Sequence, residues 1–265
     1  MNKNKVIKQQ ARLLLKGNWV PVISSFVIVI LALLAVFYTQ FTLLYAFDQL
    51  NADGELYKQP VNITTGRINY TLICIAAGSS AALLLLSPLF NGAIRLCAKL
   101  TLDRTVDTSE MFYCFRSFAL YVKTVLLNFV IFFLFTVTSS LLDPYIYVSR
   151  ITGTELDGTN PGDPLWWVMA AAFLAAVLID ILLYTVLVHF PLLVYAFEPQ
   201  RGVCGCTFAL LPFIFRNLGK ALSLTISFFG WALLCFFVLP ALYAAPYYAV
   251  SCANSVKWML QSQEP

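Results

Sequence analysis

Charged residues are scarce in this sequence. They make up 11% of its 265 residues, whereas hydrophobic residues make up 60% and the mean hydropathy is +0.79. Soluble domains contain roughly 25% charged residues and keep a polar shell around the core. The composition therefore excludes a water-soluble fold and indicates an integral membrane protein. The formal net charge of +4 is small, and we expect no nucleic-acid partner because the basic residues are not grouped on a soluble face.

Residues that support catalysis and metal binding are also scarce. The single histidine, His189, leaves almost no material for histidine-based zinc chemistry or for a Ser-His-Asp triad. There is no GxxxxGK[ST] phosphate-binding loop, so an energy-coupling ATPase activity would have to come from a partner. Cys204 and Cys206 fall on the same predicted side as Cys97 and Cys114, but they lack the paired CxxC spacing of zinc sites. We expect a non-enzymatic protein with no catalytic residue, cofactor or metal.

Uncharged runs long enough to cross a bilayer recur along the chain. A hydrocarbon core of ~30 Å needs about 20 helical residues. Residues 165–197 exceed that length with one formal charge, Asp180, and predict a membrane helix with an extension or a break. Residues 221–256 carry no charge and predict two helices hinged near Leu239 and Pro240. We predict an all-α polytopic membrane helix bundle that forms a single integral-membrane domain over 1–265. Its six transmembrane helices are predicted at about 20–47, 70–94, 119–142, 165–190, 221–238 and 240–259. The alternative is five transmembrane helices, if residues 221–256 form one span.

Amphipathic segments accompany these helices. Residues 2–19 place Val6, Ile7 and Ala11 among lysines, which is the spacing of a helix lying in the membrane interface. An ordinary basic flank is the alternative. A second interfacial helix is predicted to begin after Asp107, because the sequence DTSE precedes apolar residues there.

Positive charge is distributed unequally between the predicted sides of the membrane. If the N-terminus is cytoplasmic, the inner segments hold 14 of the 17 lysines and arginines, and the outer loops hold Lys58, Arg67 and Arg150. This bias follows the positive-inside rule for short loops. We therefore predict that both termini lie in the cytoplasm.

One acidic residue is predicted to lie within the membrane. A carboxylate there costs a few kcal/mol or more unless it is paired, and such residues are functional candidates. Counting from the predicted cytoplasmic helix ends, Asp180 and Asn128 lie at similar depth, with Lys123 about one turn nearer the surface. We predict an intramembrane polar cluster of Asp180, Lys123 and Asn128. It either holds the bundle together or lies on a proton, ion or substrate path.

Five short motifs occur in order along nearly the whole chain. They are LKGNW at 15–19, SPLFNG at 87–92, EMFYCF at 110–115, SFFGW at 227–231 and PYY at 246–248. Together they resemble the bacterial integral-membrane family catalogued as domain of unknown function 975. Two segments depart from its pattern: VLP at 238–240 replaces a glycine-rich break, and Glu198 stands where aspartate is more usual. The resemblance implies a multi-pass protein of the bacterial plasma membrane with no established activity.

Two functions fit these features. The first is a scaffold or accessory protein that binds the lipid bilayer, a protein partner or a second copy of itself through its basic inner face. The alternative is a small transporter or permease subunit. In that case Asp180 would lie on the substrate or proton path, and Pro191 and Pro240 would break helices around the site.

Overall fold

The computed structural model describes residues 3–49, 61–62, 67–153, 162–228 and 238–262. It confirms the predicted all-α fold class. Two strands of two residues each, β1 (Val61–Asn62) and β2 (Arg67–Ile68), pair antiparallel with Val61 opposite Ile68. The helices are α1 (Lys3–Leu15), α2 (Trp19–Ala46), α3 (Tyr70–Asp103), a 3₁₀ helix (Thr108–Phe115), α4 (Phe118–Leu142), α5 (Pro144–Thr152), α6 (Pro164–Leu183), α7 (Phe190–Phe197), α8 (Val203–Thr207), α9 (Leu211–Ile226) and α10 (Val238–Gln261).

Aspartate side chains determine where α5 and α6 begin. The Asp143 carboxylate accepts a hydrogen bond from the backbone N–H of Tyr145 at 2.9 Å. The Asp163 carboxylate accepts one from the N–H of Leu165, also at 2.9 Å. These bonds satisfy N–H groups that have no partner within the helix, and in both helices the first residue is a proline, which lacks an N–H. Local sequence therefore fixes both helix starts.

The long apolar stretch around Asp180 forms one continuous helical segment. Helix α6 passes into a π-helical turn at Tyr184–His189, which passes directly into α7. Proline lacks a backbone N–H, and its ring clashes with the preceding turn of an α-helix. The π turn changes the hydrogen-bond register just before Pro191, so the helix accommodates the proline without ending. The predicted helix end at 190 is therefore wrong, because the helical chain continues to Phe197.

Five helical segments in the described part of the chain are long and apolar enough to cross a membrane. They are Trp19–Ala46, Tyr70–Asp103, Phe118–Leu142, Pro164–Phe197 and Val203–Ile226. Large apolar side chains such as Leu31, Phe133 and Leu174 are exposed on their outer surfaces. Exposed apolar surface of this extent marks a membrane-embedded protein.

The C-terminal part of the chain differs from the predicted arrangement. Helix α9 begins at Leu211, ten residues before the predicted start at 221, and ends at Ile226. The remainder of the predicted helix 221–238 falls largely on residues 229–237, which lie outside the described residues. Helix α10 contains the predicted hinge residues Leu239 and Pro240 in its first turn, and it is not among the five candidate spans.

One end of the bundle contains most of the buried core. There α1, the C-terminal halves of α3 and α10, the 3₁₀ helix, α7 and α9 meet, and we call this region the packed end. Its fully buried side chains include Leu15, Leu96, Met111, Phe190, Ile214 and Val250. The apolar face of α1, formed by Ile7, Ala11 and Leu15, packs into this core. The sequence left open a helix in the membrane interface or an ordinary basic flank; in the structure the apolar face of this helix contacts protein.

Candidate functional site

The three predicted polar residues Asp180, Lys123 and Asn128 do not form one cluster. The Asp180 carboxylate accepts a hydrogen bond from the Ser139 hydroxyl at 2.6 Å. Ser139 lies eleven residues beyond Asn128 on α4, which is ~16 Å along the helix axis. Lys123 donates instead to the backbone carbonyl of Pro199 at 2.7 Å. The predicted contact of Asp180 with Lys123 or Asn128 is therefore wrong.

The position of the α7 end explains this error. If the helix that contains Asp180 ended at residue 190, Asp180 would lie ten residues, or ~15 Å, from the helix end. The helical chain reaches Phe197, so the distance is seventeen residues, or ~26 Å. Lys123 meets the chain just after this end, at Pro199. Asp180 consequently lies opposite Ser139, near the other end of α4.

A different group of buried and half-buried polar residues lies at the packed end. The Arg95 guanidinium donates to the carbonyl of Ala196 at 2.8 Å and lies 3.8 Å from the centre of the Tyr113 ring. The hydroxyls of Thr124 and Tyr195 are 2.9 Å apart. We include the asparagines one helical turn from Arg95 and Thr124 and call the group the buried polar cluster: Asn91, Arg95, Tyr113, Thr124, Asn128 and Tyr195.

Several polar atoms of this cluster have no hydrogen-bond partner among the described residues. They are both side-chain polar atoms of Asn91, Nε of Arg95 and Oδ1 of Asn128. Asn91 is 4% exposed and Asn128 is 0% exposed. Leaving such a group unpaired costs about 1–3 kcal/mol, and buried water is its usual partner. Within the described residues Arg95 also pairs with no carboxylate, so its charge is stabilised by a backbone carbonyl and an aromatic face.

Four cations at the packed end donate to backbone carbonyls at or near helix C-termini. The pairs are Arg95 with Ala196, Lys123 with Pro199, Lys257 with Thr101, and Lys8 with Ser227. The C-terminal end of a helix carries a partial negative charge, so a cation there is stabilising. These four positive charges therefore have a structural role.

Glu110 connects the 3₁₀ helix to α3. Its carboxylate lies 2.8 Å from the Lys99 ammonium and 3.3 Å from the Arg116 guanidinium. The hydrogen bond from Lys99 and the charges of both cations lower the pKa of Glu110 from its ordinary value, against the opposing effect of burial. Glu110 is therefore ionised at neutral pH, and the ion pairs hold the 3₁₀ helix against α3.

Other cations remain on the surface of the packed end. Helices α1 and α9 adjoin there, because the Asn4 amide donates to the Ser223 hydroxyl at 2.8 Å. Six exposed cations form what we call the basic face, five on these two helices and Lys16 directly after α1: Lys3, Lys5, Arg12, Lys16, Arg216 and Lys220. None of the six makes an ion pair with a carboxylate in the part of the chain that the structure describes. Their charge is available to an external anion.

Two cavities open beside the basic face. The first, which we call the Lys5 cavity, has a volume of about 370 Å³ and is lined by residues that include Lys5, Lys8, Gln9, Arg12, Ser227 and Tyr247. The second, of about 510 Å³, lies between α1, α9 and α10 and is lined in part by Lys3 and Lys220. A third cavity of about 480 Å³, between α2 and α3, is lined mainly by apolar residues. Asp180 lines none of these three.

His189 and the cysteines occupy unremarkable positions. The His189 ring packs 6.0 Å from the Tyr248 ring, measured between centroids. Cys97, Cys114 and Cys206 are buried free thiols. Among the residues that the structure describes, no group of three or more histidine, cysteine, aspartate or glutamate residues is placed to hold a metal ion.

Arg95 is half-buried, and its inward position was not predicted from the sequence. One signal was present: Arg95 follows the apolar run of α3 directly, and the sequence stays helix-compatible beyond it to Asp103. Its partners Ala196 and Tyr113 are distant in sequence, and no local pattern points to them.

In comparisons with known proteins, no family model, no curated protein and no solved structure matches this chain.

Proposed function

We propose that this chain is a non-enzymatic scaffold of the bacterial plasma membrane whose basic face binds anionic lipid on the cytoplasmic side. The observation that carries the proposal is the arrangement of α1. Its apolar face is packed into the protein core, while Lys3, Lys5, Arg12 and Lys16 are exposed and make no ion pair with the described residues. A basic helix that does not need the membrane to bury its apolar face is free to use its charges for recognition.

Position and charge support lipid as the partner of the basic face. Helix α2, a candidate membrane span, begins at Trp19, three residues after Lys16. Cations this close to a membrane entry point gain about 1 kcal/mol each from an anionic surface. The charge bias of 14 cations against three favours the cytoplasmic side for this end of the bundle. The exposed Arg216 and Lys220 extend the same face, so in this proposal α9 lies beside α1 at the membrane surface, although the segment Val203–Ile226, which includes α9, is also long and apolar enough to cross.

Lipid selectivity tests the proposal directly. We expect the purified protein in mixed-lipid nanodiscs to enrich phosphatidylglycerol over phosphatidylcholine, and the preference to weaken as salt is raised. In the variant K3Q/K5Q/R12Q/K16Q, the enrichment of phosphatidylglycerol over phosphatidylcholine should fall by about tenfold or more, because four contributions of about 1 kcal/mol are removed. The measurement is the lipid composition retained around the protein, read by mass spectrometry.

A control variant removes cations elsewhere. Lys58, Arg67 and Arg150, the cations of the predicted outer loops, are replaced by glutamine in one chain. We expect this variant to keep the wild-type lipid preference. A wild-type protein that does not distinguish the two lipids would contradict the proposed function.

The transporter alternative rests on Asp180. This carboxylate lies within the span Pro164–Phe197, and Ser139 is its one hydrogen-bond donor among the described residues. This hydrogen bond links α4 to α6, and a structural link is a sufficient reason for a carboxylate at this position. We therefore keep the scaffold as the proposal. A transporter with Asp180 on the substrate or proton path is the second candidate.

Asp180→Asn separates the two candidates. Asparagine still accepts the Ser139 hydrogen bond, so we expect the thermal midpoint and the lipid preference to match the wild type. Ser139→Ala should be more destabilising, by about 1–3 kcal/mol, because it leaves the Asp180 carboxylate without its donor. Flux assays of protons and small solutes in proteoliposomes complete the test. A saturable flux that Asp180→Asn abolishes at unchanged protein level would contradict the scaffold role.

A further inference from the structure

We infer that the Lys5 cavity binds a single phosphate-bearing group, either the headgroup of an anionic phospholipid or a soluble phosphate ester. This inference rests on the proposed function and deepens it. The basic face as a whole would be attracted to any anionic surface. The cavity would hold one headgroup at a defined position within that face.

The side chains that line the cavity are donors for an anion. Lys5, Lys8 and Arg12 are spaced by three and four residues, which places them on one side of α1. The Gln9 amide adds a neutral donor. None of the residues that line the cavity has a carboxylate, so an entering anion meets three cations and no repelling group. Arginine binds phosphate through two parallel N–H bonds, and lysine binds it as a point charge.

Lys8 is held in place by its surroundings. Its ammonium donates to the Ser227 carbonyl at 2.7 Å and lies 4.1 Å from the centre of the Phe228 ring. The Tyr247 hydroxyl donates to the backbone carbonyl of Lys8 at 3.3 Å. An ammonium has three hydrogens, so the bond to Ser227 leaves two for a ligand. A positioned cation loses less side-chain entropy on binding than a mobile surface lysine.

Size and location fit a headgroup. The cavity volume of about 370 Å³ lies within the range of small-molecule sites, so it accommodates a phosphate with its attached glycerol. Helix α1 leads into the candidate span α2 with a break of only three residues, at 16–18. The cavity therefore opens beside the place where the chain enters the membrane, and a lipid can reach it from the bilayer.

Two charge-matched variants of the full-length protein test the inference. K5Q/R12Q removes two exposed cations that line the cavity, whereas K3Q/K16Q removes two exposed cations at the two ends of the same segment, one on α1 and one directly after it, that do not line the cavity. Neither pair disturbs Lys8 or its hydrogen bonds. Binding is measured to phosphatidylglycerol in nanodiscs and, separately, to soluble glycerol phosphate in detergent, and the thermal midpoint of each variant confirms that it is folded.

The expected result is saturable binding at one site. For soluble glycerol phosphate, K5Q/R12Q should raise the dissociation constant about tenfold or more and K3Q/K16Q less than about threefold. For phosphatidylglycerol both pairs lose attraction to the membrane surface, and K5Q/R12Q should weaken binding about tenfold more than K3Q/K16Q. Binding of both probes would identify the phosphate group itself as the ligand, and binding of the lipid alone would identify a membrane headgroup. Equal weakening by the two pairs would overturn the inference while leaving the proposed function intact. A wild-type protein without preference for anionic lipid would instead overturn the proposed function.

Discussion

Replacing Gly92 by alanine is expected to disrupt the packed end of the protein. A Cβ atom at Gly92 would lie 1.7 Å from the carbonyl oxygen of Met111 and 2.7 Å from its carbonyl carbon. Both are backbone atoms, so no side-chain rotation relieves the clash. Met111 is fully buried, and the neighbouring Glu110 is held to α3 by Lys99, so the 3₁₀ helix cannot shift without losing these contacts. We expect a loss of about 3 kcal/mol or more in the free energy of unfolding.

Gly78→Ala in the same helix is the matched control. No atom outside the local helix lies within 4 Å of a Cβ at this position. Alanine is favoured over glycine in a helix by about 0.8–1.0 kcal/mol, so this variant should be as stable as the wild type or slightly more stable. Thermal midpoints in detergent, followed by size-exclusion chromatography, compare the two. Equal midpoints for Gly92→Ala and Gly78→Ala would show that α3 and the 3₁₀ helix do not approach as described.

Arg95→Ala is expected to have the second largest effect. The substitution removes the hydrogen bond to the Ala196 carbonyl, and bonds to charged groups contribute about 1.5–3 kcal/mol. It also removes the guanidinium from the face of Tyr113, a contact that contributes up to about 2 kcal/mol when desolvated. The carbonyl at the end of α7 then faces a cavity without its donor. We expect a destabilisation of about 3 kcal/mol or more, measured as a lower midpoint of thermal unfolding.

Two variants separate the geometry of Arg95 from its charge. Arg95→Lys keeps the positive charge but loses the planar group that stacks on Tyr113, so its stability should fall between those of the wild type and Arg95→Ala. Arg216→Ala removes an exposed arginine of α9 and should change stability by less than about 0.5 kcal/mol. If Arg95→Ala were as mild as Arg216→Ala, the buried polar cluster would have no structural role.

Local sequence patterns were sufficient for some features of the fold. The predicted helix 119–142 differs from α4 by one residue at its start, because Asp143 and the proline after it end one helix and begin the next. The uncharged run before Phe47 likewise predicts α2 to within one residue at each end. These features depend on hydrophobic length and on capping residues that are neighbours in sequence.

The candidate site was less accessible to sequence reasoning. The partner of Asp180 depends on how α4 and α6 are aligned along their length. That alignment follows from the helix end at Phe197, whereas Pro191 suggested an earlier end at residue 190. A shift of seven residues in one helix end moves a side chain by ~10 Å relative to its neighbour. Arg95 and Ala196 are separated by 101 residues, so their contact exists only after the helices have packed.

The amino-acid sequence by itself determined that this protein is a membrane-embedded helical bundle and that most of its cations fall in the segments between particular helices. Composition and hydrophobic length act along the chain, and no distant residue can change them. Tertiary structure alone decided how each cation is used. Arg95, Lys123 and Lys257 donate to backbone carbonyls near helix ends, whereas Lys5 and Arg12 remain exposed beside a cavity. That division depends on which helix ends meet, which is a property of packing between residues far apart in sequence.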